Sequence, residues 1–155
     1  MPISRDDYIA RCQACALDLY RFAFTAIGDK DIACDLVIRA CVAGLDRCLG
    51  EQDERELKVE LTRLLYRTCR LKLLVSQPVK GACPLWLDAA GRKERLILAL
   101  RFAAGLRSSE AIRAAGMTPQ RFSAILCRGV TKCSKALTAY NAQQEQINEN
   151  SHTTP

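Results

Sequence analysis

The side chains with the greatest capacity for chemistry are nine cysteines, at positions 12, 15, 34, 41, 48, 69, 83, 127 and 133. Thiolates ligate soft metals and exchange electrons, but a zinc site needs four donors converging tetrahedrally. Cys12 and Cys15 stand one helical turn apart with no second pair to match them, and the lone histidine, His152, falls in the C-terminal tail. Cys34, Cys41 and Cys48 recur every seventh residue and so line one side of one helix. Cysteine used as a small buried apolar residue is the ordinary meaning of such a pattern; a cysteine-based redox or metal sensor is the alternative. The odd cysteine number argues against a disulfide scaffold. No metal site and no cofactor is expected. With no second histidine, no glycine-rich phosphate loop and no carboxylate pair, no catalytic constellation can be assembled, and the sequence is that of a non-enzyme.

Charge points to a different chemistry. Residues 1–77 hold 12 Lys/Arg and 12 Asp/Glu, whereas residues 78–155 hold 11 and 5, so the net +6 belongs to the second half. Between Glu110 and Glu145 there are five bases and no acid. At 100° per residue Arg121, Arg128, Lys132 and Lys135 form one stripe, and Phe122, Leu126, Val130, Cys133 and Leu137 lie opposite. A helix anchored by one face and basic on the other can meet a polyanion; the plain alternative is a solvated surface helix.

The elements that must position this stripe are helical. Ser4 and Asp7 form a capping pattern ahead of apolar residues at helical spacing, which predicts a first helix over about 5–27. Gly28 breaks it, Asp29 caps a second whose buried stripe reads Ile32, Ala33, Leu36, Val37, Ala40 and Leu45 until Gly50 ends it, and a third carries Leu57, Leu61, Leu64, Leu65, Thr68, Leu71 and Leu74 along one side. Residues 76–84, "SQPVKGACP", lose the periodicity and read as a linker between a module at 1–75 and a module at 85–140. In the second module an apolar helix ends at Gly105, a serine cap starts a short helix over 108–115, and Gly116 turns the chain into a last helix capped by Thr118 with Pro119 at its first position. Residues 141–155 have little to bury and read as a disordered tail. The fold class is therefore all-α, two small helical modules, the second a helix-turn-helix. No apolar run spans a bilayer and no export signal is present, so a cytoplasmic protein with no membrane partner is expected.

Residues 95–137, "RLILALRFAAGLRSSEAIRAAGMTPQRFSAILCRGVTKCSKAL", resemble region 4 of the extracytoplasmic-function sigma factors of bacterial RNA polymerase, with Leu100, Arg101, Phe102, Gly105, Leu106, Glu110, Gly116 and Arg128 matching without gaps. "LYRFAFTAIGDKDIACDLV" (19–37) and "LLYRTCR" (64–70) resemble region 2. The resemblance implies a transcription factor whose partners are core RNA polymerase, promoter DNA and an anti-sigma factor. It implies that Asp35, Leu36, Val37 and Arg39 face polymerase. Tyr66, Arg67 and Arg70 would lie near melted DNA, and Thr118, Gln120, Arg121, Ser123, Arg128, Lys132 and Lys135 near the upstream promoter element.

The departures from the family pattern have physical content. Ile38 and Arg39 stand where the family has Gln-Glu, replacing an acidic patch by an apolar and a basic residue. Leu64 and Leu71 replace the tryptophan and asparagine that would hold single-stranded bases by stacking and polar edges. Ile125, Cys127 and Val130 replace basic and polar groups of the recognition helix, and Ile112 stands where an alanine lets two helices cross, with Ala111 before it. A nine-residue linker spans about 30 Å at most, less than one duplex turn of ~34 Å. A sigma-like interaction module, regulating polymerase or another sigma factor without initiating alone, is the alternative these departures favour.

Overall fold

Short polar side chains start the first three helices. Ser4 Oγ accepts from the Asp7 amide at 3.1 Å and opens α1 (Arg5–Ile27). Asp29 Oδ1 accepts from the Asp31 and Ile32 amides, both at 2.9 Å, and opens α2 (Lys30–Cys48). Asp53 accepts from the Arg55 amide at 2.8 Å and opens α3 (Glu54–Val75). Each carboxylate or hydroxyl satisfies donors that have no partner within the helix. The computed structural model describes residues 3–48 and 53–152; Gly50, expected to end α2, lies outside them.

A 3-10 helix (Leu85–Ala89) and three further helices follow, α4 (Arg92–Phe102), α5 (Ser108–Ala115) and α6 (Pro119–His152). Among the described residues there is no strand, and the fold is all-α. Two local expectations differ from the observed chain. No serine side chain caps α5: Arg107 holds the cap position and donates its amide to Glu110 Oε2 at 2.8 Å. The last helix does not stop near Tyr140 but continues to His152 with residues 138–151 exposed throughout. No glycine or proline interrupts it beyond Gly129, and its Ala, Gln and Glu residues favour helix without any tertiary support.

The segment expected as a linker is pinned against the first half. Gly28 adopts φ 81°, and Val79 donates its amide to the Ile27 carbonyl at 2.8 Å. A Cβ at Gly28 would lie 2.4 Å from the Val79 oxygen, so the close approach of the two backbones requires glycine there.

One buried cluster then runs through both halves, from Leu19, Phe22, Leu61 and Leu65 to Leu100, Ala111, Phe122 and Ile125. Helix α4 lies against α1 and α3, α5 lies against α3, and α6 lies against α4. Arg95, almost fully buried on α4, fastens this arrangement. Its Nε donates to the Thr25 carbonyl of α1 at 2.8 Å and its Nη1 donates to Asp88 Oδ1 at 2.9 Å. Across the α3/α5 contact, Arg55 meets Glu110 in a two-pronged ion pair whose Nη2–Oε2 bond is 2.7 Å, and Arg113 meets Glu56 at 2.8 and 3.1 Å. Lys58 on α3 bridges Asp18 of α1 (2.5 Å) and the Gly105 carbonyl (3.2 Å). The helices expected to form separate modules thus share an interior.

Candidate nucleic-acid interface

The turn from α5 into α6 is built by backbone chemistry. Gly116 takes φ 64°, a left-handed conformation that costs a Cβ-bearing residue, and donates its amide to the Ile112 and Arg113 carbonyls at 3.1 Å. Thr118 Oγ1 then accepts from the Arg121 amide at 3.3 Å and caps α6. Phe122, Ile125 and Cys133 bury the inner face of that helix, which leaves Thr118, Gln120, Arg121, Ser123, Arg128, Lys132 and Lys135 exposed on the other. Ala111, fully buried, fills the position where α5 packs closely, and Ile112 beside it is half-buried.

The basic stripe is not wholly free. Helix α4 comes so close that a Cβ at Gly129 would lie 3.0 Å from Leu98 Cδ1 and from Glu94 Cβ. Glu94 therefore receives Lys132 Nζ at 3.2 Å and lies 3.9 Å from Arg128 Nε. Burial acts to raise the Glu94 carboxyl, but the Lys132 hydrogen bond, a backbone amide and the Arg128 charge outweigh it and hold it below the ordinary glutamate value. One carboxylate against two cations reduces the field of the stripe without cancelling it. Glu94 was invisible to the helical wheel because it sits on a different helix.

The residues expected on the first half are placed differently from one another. Arg67 and Arg70 are exposed, but Tyr66 is only 3% exposed and cannot offer a ring face to a base in this conformation. Burial raises its hydroxyl above the usual phenol value, and the Arg70 and Arg121 guanidiniums oppose that shift. Asp35 and Arg39 lie on the surface of α2 and pair with each other at 2.9 Å. Leu36 and Val37, which the resemblance has facing a partner, are buried on the inner face of α2 that the helical period assigns to them, where α2 supplies apolar area to α1 and α3. The exposed apolar side chains on that helix are Ile38 (62%) and Val42 (66%), which the 3.6-residue period would have assigned to the outer face.

Cys12, Cys15 and Cys41 lie near one another where α1 meets α2, and the other described cysteines are scattered. Cys12, Cys15, Cys69 and Cys133 are buried, Cys41 and Cys83 are half-buried, and Cys34 and Cys127 are exposed. Desolvation pushes Cys15 up to about 11 and Cys69 up to about 12; at Cys41 desolvation and then neighbouring Cys12 push it up to about 12. Those thiols are protonated at neutral pH and are poor nucleophiles. Among the described residues no group of three or more His, Cys, Asp or Glu side chains is placed to hold a metal ion. The side chains of Cys48 and His152 lie outside the described residues. No described helix is long and apolar enough to cross a membrane.

The tertiary structure brings together three residues that the sequence assigned to two separate DNA contacts. Tyr66 and Arg70 of α3 and Arg121 of α6 line one small cavity, joined by Lys93 of α4, a residue that periodicity gave no reason to single out. No family model matches the chain, and no curated protein or solved structure is detectably similar to it.

Proposed function

We propose that the chain is a sigma-like, DNA-binding transcription factor that associates with bacterial RNA polymerase and directs promoter recognition. In this reading α5, the Gly116 turn and α6 act as the helix-turn-helix, and the exposed face of α2 around Asp35, Ile38 and Arg39 meets polymerase. The observation that carries the reading is the exposed face of α6: Gln120, Arg121 and Ser123 are free to reach a groove, with exposed Arg128 beside Glu94, while Phe122 and Ile125 hold the helix from behind. Gln120 and Ser123 supply neutral hydrogen-bonding groups suited to base edges, and the cations supply phosphate contacts.

The test is reconstitution with purified core polymerase. Co-migration with core and a transcript from a defined promoter support the proposal; co-migration without a transcript from any genomic template sinks initiation.

A second reading, a sigma-like module that regulates polymerase or another sigma factor without initiating alone, draws on the shared core. Engaging two promoter elements more than one duplex turn apart would require α5 to part from α3, breaking the Arg55–Glu110 and Arg113–Glu56 pairs and exposing Ala111. A module that stays closed would bind DNA with little sequence preference and with strong salt dependence. A footprint confined to one sequence at about 150 mM salt, where the Debye length is about 8 Å, would count against this second reading.

A further inference from the structure

The cavity between α3, α4 and α6 has a composition of which the transcription-factor reading uses Arg121 alone. It is lined by Arg70, Lys93 and Arg121, together with Tyr66 and the turn residues Gly116 and Met117, and no acidic side chain lines it. Among the described residues none of the three cations forms an ion pair, unlike Arg55, Arg95, Arg113, Arg128 and Lys132 elsewhere in the molecule. Tyr66 adds an independent sign. Tyr66 is 3% exposed, its hydroxyl makes no hydrogen bond within the described residues, and the residue lines this cavity. Its oxygen is not sealed in the interior, since Arg95 Nη2 is the buried side-chain atom without a partner among the described residues, and so the hydroxyl keeps a hydrogen bond to offer on the cavity side.

We propose that this cavity is a binding site for a single terminal phosphate group, either free phosphate or the phosphomonoester end of a small molecule, held by Arg70, Lys93 and Arg121 with the Tyr66 hydroxyl donating from the floor. Three cations drawn from three helices repel one another when empty and are relieved by a dianion. The phenol remains protonated at neutral pH and therefore has a proton to donate. Size sets the limit on the ligand: the cavity is about 100 Å³, against ~300–1,000 Å³ for pockets that enclose drug-sized molecules. It admits one tetrahedral oxyanion and leaves any attached nucleoside or sugar outside. A phosphodiester within a nucleic-acid backbone carries substituents on two oxygens and one negative charge, and it cannot present its phosphorus to the floor of so narrow a site. The inference thus separates Tyr66 and Arg70 from ordinary backbone contacts with DNA, and gives Arg121 a second ligand besides the groove. Because the site draws one cation each from α3, α4 and α6, occupancy also ties the first half of the chain to the second and favours the closed arrangement by mass action.

The experiment is equilibrium dialysis of the full-length protein with radiolabelled inorganic phosphate, in a buffer free of other oxyanions and without DNA or polymerase, so that its outcome is independent of the transcription assay. The expected result is saturable binding of one equivalent, weakened at least about tenfold by Lys93→Ala and by Tyr66→Phe and unchanged by Lys30→Ala, an exposed cation on α2. Phosphate should raise the unfolding midpoint of the wild type and raise that of Tyr66→Phe, which keeps the buried ring, by less at the same phosphate concentration. Adenosine monophosphate binding more tightly than phosphate identifies the end of a larger molecule as the ligand; the reverse order identifies the free ion. Non-saturable uptake, equal loss in Lys30→Ala and Lys93→Ala, unchanged affinity in Tyr66→Phe, or dimethyl phosphate binding as well as inorganic phosphate would each overturn the proposal.

Discussion

At the residue scale, burial and pairing decide which groups keep their chemistry. Cys34 and Cys127 are open to solvent while Cys69 is fully enclosed. A thiol-reactive probe under native conditions is therefore expected to label Cys34 and Cys127 rapidly and Cys69 only on unfolding, with the labelled positions read by peptide mass spectrometry. Rapid native labelling of Cys69 would contradict the burial that pushes its thiol up to about 12. Glu110 makes a second residue-scale case. The Arg55 hydrogen bonds come first, the Arg107 amide and both arginine charges add to them, and together they hold its carboxyl below the ordinary glutamate value despite desolvation. A carboxylate with a depressed folded value contributes stability that is complete above the unfolded value near ~4.3 and is lost as pH falls through the lower folded value. Glu110→Gln should lower stability at neutral pH and flatten the acid limb below pH ~4.3, measured by denaturant titration across pH; an unchanged acid limb would show that Glu110 titrates as it does in the unfolded chain.

At the element scale, the turns are where sequence and packing interact. Gly28 and Gly116 both have positive φ, so alanine at either site pays the left-handed strain of about 1–2 kcal/mol. Only Gly28 also faces a backbone, with the Val79 oxygen 2.4 Å from the Cβ position, whereas nothing lies within 4 Å at Gly116. Chemical denaturation is expected to show Gly28→Ala as the more damaging change, with Gly116→Ala costing no more than about 1–2 kcal/mol. Equal losses would mean that the 76–84 segment can retreat from α1 at little cost. The helix starts at Asp29 and the Gly116 turn were legible from local chemistry, since a cap or a left-handed glycine acts within four residues. The start of α5 was less so: the serines that resemble a cap are outcompeted by Glu110, whose carboxylate reaches back to the Arg107 amide.

At the scale of the whole molecule, the shared core predicts cooperative behaviour. Leu65, Leu100 and Phe122 belong to one cluster, and buried Arg95 joins α4 to α1 and to Asp88. Asp88→Ala would leave the Arg95 guanidinium without its counter-charge, and removal of one partner of a buried pair costs about 3–5 kcal/mol. The whole chain should then unfold in one transition at lower denaturant, with amide exchange in α3 and α4 shifting together; loss confined to residues 85–152 would show that the two halves fold independently.

The sequence by itself determined the all-helical class, the approximate course of the helices and the amphipathic division of α6, because helical periodicity and capping are local. It also singled out Tyr66, Arg70 and Arg121, as contacts of two modules on a tether. Only the tertiary structure decided that Tyr66 is buried, that Glu94 answers Arg128 and Lys132, and that Lys93 joins Arg70 and Arg121 around one cavity. The physical reason is that a helical wheel reports one helix's two faces, whereas a charge acquires its partner from whichever neighbouring helix the common core brings against it.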